Sequence, residues 1–114
     1  MRVFLDGCID PRAATVFGAH EVTTAFQLNW HKLADHVLLS RVQEEFDVLV
    51  TIDRGFEYQH NLKKLSVGIV IVHVARNKVE SYRALAAQIQ EAVGRARPGE
   101  VVHVFEELQD EPRR

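Results

Sequence analysis

A chain of 114 residues that is 46% hydrophobic and 26% charged has the size and apolar content of one domain around one core, which excludes a two-domain enzyme. A single cysteine, Cys8, excludes an internal disulfide framework and favours a reducing, cytoplasmic setting. Net charge is −2, and residues 1–105 balance at 12 bases and 12 acids, so the broad basic field of a constitutive nucleic-acid binder is missing.

The opening strand, Val3 to Leu5, meets a carboxylate at Asp6 before an export signal could accumulate. Pro11 suits a first helical position, with Asp10 as its cap, and a first helix is expected over 11–17. A short β-branched run, 20–24, predicts a second strand, and the stretch from Ala25 to Lys32, which has no clean period, a loop. Apolar residues at 33, 37, 38, 42 and 46 predict a helix over about 34–45. Val48 to Ile52 is a continuous apolar run closed by Asp53, the pattern of a strand buried on both faces of a parallel sheet. A short helix is expected over 56–64 and the most apolar strand over 67–74. That run, Val67 to Val72 at its core, falls far short of the ~20 residues a membrane span needs. Asn77 with Glu80 three residues later resembles a capping box and opens a long helix with the stripe Val79, Tyr82, Leu85, Ile89, Val93. Gly94 and Pro98-Gly99 end it, and Val101 to Phe105 is the last strand. The alternation predicts an α/β domain over 1–105, with a sheet of about five mainly parallel strands between two helical layers, and a polar tail over 106–114.

In an open parallel sheet, ligands bind beyond the carboxyl ends of the strands. Asp6 ends the first strand and Asp53 the third; Asp35, at the start of a helix, can reach the same rim. Carboxylates gathered at one rim repel unless a cation lies between them, and oxygen ligands suit Mg²⁺ or Mn²⁺. Metal-assisted hydrolysis of a phosphodiester is the chemistry such a trio supports. Each aspartate also has a plainer reading, as a turn residue or, for Asp35, a helix cap. Arg54, Lys63 and Lys64 could line a phosphate path, and Tyr58 and Trp30 could stack on bases, with solvated surface and core packing as the alternatives. His31 and His36 flank Asp35. His73 and His103 lie within apolar strands, as structural histidines do, and Cys8 has no paired base to make it a nucleophile.

The segments Val-Phe-Leu-Asp6-Gly-Cys-Ile-Asp-Pro11-Arg12, His20-Glu21-Val22 and Val-Leu-Val-Thr51-Ile-Asp53-Arg54-Gly55-Phe56, in this order and spacing, resemble the PIN-like domain family, particularly its short stand-alone members. The phrase Glu57-Tyr58-Gln59-His60-Asn61-Leu62 resembles a signature of one branch. The resemblance spans nearly the whole chain. It implies a PIN-type ribonuclease fold in which Asp6, Asp35 and Asp53 hold Mg²⁺ or Mn²⁺ and cut RNA, with Thr51 supporting the Asp53 carboxylate and Arg54, Tyr58 and Asn61 on the substrate side. Many relatives are toxins, which implies an antitoxin protein as partner, and PIN-like domains often pair, which implies a homodimer. Two departures stand out: relatives commonly carry a second acid where this chain has Gly7, and often another where it has Gly55. A weakened module that binds RNA or a protein without cleavage is therefore the alternative. A third reading, a phosphoacceptor receiver domain using Asp53, lacks both the expected acid pair after the first strand and a lysine ending the fifth.

Overall fold

The computed structural model describes residues 1–106; the remainder of the expected tail lies outside the described residues. Five strands, β1 (Arg2–Leu5), β2 (Glu21–Thr24), β3 (Val48–Thr51), β4 (Gly68–His73) and β5 (Val101–Phe105), form one all-parallel sheet in the order β2-β1-β3-β4-β5. This is a doubly wound order, and it reverses direction between β1 and β3. The connections are a 3₁₀ turn (Pro11–Val16), helices α1 (Ala25–Leu28), α2 (Asp35–Glu45) and α3 (Phe56–Gln59), a second 3₁₀ turn (Leu62–Lys64), and helices α4 (Val79–Ala84) and α5 (Ala86–Arg95).

Both faces of the sheet are apolar, and strand alternation divides them. Val3, Leu5, Val48, Val50, Val70 and Val72 face the first 3₁₀ turn and the stripe Tyr82, Leu85, Ile89 and Val93. Phe4, Leu49, Ile69 and Ile71 face Leu39, Val42, Phe46 and Phe56 from α2, its C-terminal end and α3. Three layers follow directly, because neither sheet face could be left to water.

Several local expectations change, among them the helix expected over 56–64, which is broken at His60 into α3 and the second 3₁₀ turn. The stretch from Ala25 is a helix, not a loop: the Thr24 hydroxyl accepts from the Gln27 N–H at 3.1 Å, and the Gln27 side chain accepts from the Thr24 N–H at 2.8 Å. That capping box, Thr-x-x-Gln, is written in the sequence where the apolar period is silent. Asn77 does not cap the long helix. Lys78 holds that position without a side-chain bond, while the Asn77 amide donates to the Cys8 carbonyl at 2.9 Å and its oxygen accepts from the Asp10 N–H at 2.9 Å. The long helix itself is interrupted at Leu85, whose backbone leaves helical geometry. The first helix tightens to 3₁₀, with Asp10 as its cap as expected, and α2 buries Leu39 and Val42 on its core side.

Gly68, at the head of β4, lies against the backbone of Ala96; a Cβ there would stand 2.6 Å from the Ala96 carbonyl oxygen. Backbone cannot swing aside as a flexible side chain can, so Gly68→Ala is expected to destabilise the fold by about 2 kcal/mol despite the better strand propensity of alanine. Urea denaturation of the variant checks this.

Candidate functional site

Register builds the site. Leu5 pairs with Val50, and the Asp6 N–H continues the ladder to the Val50 carbonyl at 3.0 Å. Asp6 and Thr51 therefore leave neighbouring strands on the same face, and the buried Thr51 hydroxyl donates to Asp6 Oδ2 at 2.8 Å. The same hydroxyl accepts from the Asp53 N–H at 3.1 Å. Thr51 thus ties Asp6 to the Asp53 backbone. The hydroxyl supports Asp6, where the resemblance had assigned it to the Asp53 carboxylate. Asp6 is further held by its neighbour's N–H, from Gly7 at 2.8 Å, and by the Cys8 thiol at 3.3 Å. The Asp53 carboxylate, exposed, accepts from the Gly55 N–H at 3.0 Å.

Asp35 is not drawn into this group. It is the first residue of α2, exposed, and its recorded ionic neighbour is His60 at 4.0 Å. Nor is it a cap, since Ala34 occupies that position. Among the described residues, no three His, Cys, Asp or Glu side chains are grouped to hold a metal ion. Asp6 and Asp53, which close β1 and follow β3, offer carboxylate oxygens at the switch point between those strands. Such a pair suits a cation that keeps most of its water, as Mg²⁺ does when it bridges one or two carboxylates to a phosphate.

Cys8 is tucked by its sulfur between Asp6 and Thr51, which lies 3.4 Å from it. Burial of the sulfur first, and the Asp6 charge second, push its thiol pKa up, which favours the protonated form that donates to Asp6. Around Gly7 there is little spare room: an added Cβ would stand 3.1 Å from the His31 Cβ. Among the other candidates, Trp30 packs edge-on to Phe46 on the core. Tyr58 is 84% exposed, and Asn61, Lys63 and Lys64 are exposed too. Arg54 is exposed and lines a cavity of about 280 Å³ at the ends of β4 and β5 with His73, Val74, Ala75, Phe105 and Glu106. A larger hollow, about 450 Å³, lies at the opposite end of the strands beside Arg2, Glu21 and Phe46.

Strand parity also brings together two histidines that sequence reasoning assigned to structure. His73 and His103 lie on the α3 face of adjacent strands, with His73 Nε2 and His103 Nδ1 2.8 Å apart, and His103 Nε2 lies 2.8 Å from Glu57 Oε1 of α3. Phe105, in register with His73, stacks on its ring at 4.3 Å. The only sequence signal is alternation: in Ile71–His73 and His103–Phe105, every second residue shares a face.

Comparison with known proteins found no matching family model, no matching curated protein and no matching solved structure.

Replacing Thr51 by Val is expected to cost about 2 kcal/mol, because it removes a donor from Asp6 and leaves the Asp53 N–H without its acceptor; chemical denaturation measures it. Burial, then the neighbouring His103, then Arg54 lower the His73 pKa from 6.5. A lowered folded pKa means that the unfolded chain binds the proton first, so the contribution of His73 to stability is present above pH 6.5 and is lost as the pH falls below that value through the lower folded pKa. The stability gap between wild type and His73→Gln should therefore shrink from pH 7.5 to pH 5.5 in paired thermal melts.

Proposed function

We propose that the chain is a nuclease-like α/β module of PIN-like type whose Asp6–Asp53 rim engages the phosphodiester backbone of RNA. The observation that carries this reading is the buried Thr51 hydroxyl at the β1–β3 switch point, which donates to the Asp6 carboxylate and accepts from the Asp53 backbone N–H, so that both aspartates leave adjacent strand ends. Asp6 and Asp53 would hold Mg²⁺ or Mn²⁺, and Asp35, from the head of α2, would act from outside that pair. The cation supplies polarisation of the phosphate and activation of water when bound. Thr51 keeps Asp6 in one orientation, with the Gly7 N–H and the Cys8 thiol as its other donors. Arg54, directly after Asp53, offers a guanidinium for phosphate. Tyr58 and Asn61, both exposed on the adjoining α3 segment, supply a stacking face and an amide.

The reading in which the same rim binds RNA or a protein partner without cutting has its own support. The three hydrogen bonds to Asp6 already answer much of its charge, and the His31 contact restricts what could stand beside it at Gly7. An antitoxin-type protein and a second copy of the chain are the protein partners that the PIN-like resemblance proposes. Among the described residues, no helix is long and apolar enough to cross a membrane.

Titration of Mn²⁺ into metal-stripped protein, with Asp53→Asn as control, separates the two. Heat from the wild type alone, together with RNA cleavage that stops in Asp6→Asn and Asp53→Asn, is the expected outcome for the nuclease. RNA retention without Mn²⁺ binding or cleavage supports the binding module, and full cleavage by both variants rules out the rim as the catalytic centre.

A further inference from the structure

The group formed by Glu57, His103 and His73 lies apart from the Asp6–Asp53 rim, and its hydrogen bonds determine where its protons are. A carboxylate only accepts, so His103 Nε2, 2.8 Å from Glu57 Oε1, is the donor of that pair. In a neutral imidazole the other nitrogen then accepts, so His103 Nδ1 takes the proton offered by His73 Nε2 across 2.8 Å. His73 Nδ1 is left as a bare acceptor. Among the described residues it has no hydrogen-bond partner, and it is not among their fully buried unpaired atoms, so part of its surface is left uncovered.

The cavity of about 280 Å³ beside it has complementary chemistry. Arg54 lines one side with a guanidinium suited to a phosphate. Phe105, 63% exposed, is covered by His73 on one ring face and presents an aromatic surface to solvent. Glu106 on the same wall is occupied, because its carboxylate accepts from the Ala75 N–H at 2.8 Å. An acceptor for a hydroxyl, a cation for a phosphate and a flat apolar face therefore border one hollow, large enough for a sugar phosphate and open beside the aromatic ring.

We propose that this cavity is a metal-independent site for a ribonucleoside monophosphate, in which His73 Nδ1 accepts a hydrogen bond from a ribose hydroxyl, Arg54 holds the phosphate and Phe105 stacks on the base. Glu57 and His103 are positioning residues: they fix the tautomer that leaves His73 Nδ1 without a proton. The lowered pKa of His73 agrees with this assignment, since an imidazole that stays neutral keeps its acceptor; burial lowers it first, a protonated His103 and the Arg54 guanidinium act in the same direction, and Glu57 opposes them. The proposal does not depend on the rim aspartates.

The test is titration of adenosine 5′-monophosphate in EDTA into wild type, Asp53→Asn, His73→Gln and Arg54→Gln, with imidazole ¹⁵N spectra of the wild type. Binding to the wild type and to Asp53→Asn, weakened about tenfold or more in His73→Gln and in Arg54→Gln, supports the site. A comparable loss for the 2′,3′-dideoxy analogue supports the ribose contact, and a His73 Nδ1 shift typical of an unprotonated nitrogen supports the tautomer. No binding, equal binding by all four proteins, inorganic phosphate binding as tightly as the nucleotide, or a proton on His73 Nδ1 overturns it. Because EDTA removes any cation and Asp53→Asn disables the rim, failure here is distinct from failure of the nuclease reading.

Discussion

The polar groups at the carboxyl ends of the strands take their places from one constraint, the all-parallel sheet with both faces buried. Parallel pairing points all five strands the same way, so the residues that close them, Asp6, Thr51, His73 and Phe105 among them, gather at one edge. The strands between carry valine, leucine and isoleucine on both sides, and nothing polar can stay within the sheet unless it finds a partner. Thr51 is the buried polar residue of β3, and it is satisfied because register brings the Asp6 carboxylate within 2.8 Å of its hydroxyl.

The edge is divided by the same geometry into two chemistries. At β1 and β3 the side chains are oxygen acids, and their hydrogen bonds come from backbone N–H groups, a hydroxyl and a thiol. On the adjoining strands β4 and β5 the side chains are imidazoles backed by a carboxylate from α3. Helix α3 and the segment leading into it join the two, with Asp53 and Arg54 at one end and Glu57 at the other. Arg54 follows a rim aspartate in the chain but lines the histidine cavity. A guanidinium between the two makes a phosphate the natural common element of whatever occupies either place.

Local sequence signals and tertiary outcomes part at identifiable residues. The Ala25 helix gives no periodic signal because four residues cannot display a 3.6-residue period, although Thr24 and Gln27 carry its capping signal. Asn77 carries the signal of a cap and does other work, since the loop after β1 offers it a carbonyl and an N–H that bind both ends of its amide. Asp35 has the residue type and approximate position of a rim acid, but its place at the first turn of α2 sets it beside His60 instead. No pattern along the chain distinguishes the cases of Asn77 and Asp35, because each depends on what a distant segment offers.

What the sequence determined by itself was the class of fold, the five strands, the buried stripe of the C-terminal helices and the pairing of acids with strand ends. These follow from hydrophobic periodicity and composition, which act within a few residues of chain. Only the tertiary structure decided that Thr51 serves Asp6, that Asp35 stands apart, and that Glu57, His103 and His73 form one hydrogen-bonded line. Glu57 and His103 are 46 positions apart in the chain. Their contact depends on how β5 aligns with β4 and how α3 crosses the sheet, and a hydrogen bond exists only where such placements agree to within a fraction of an ångström.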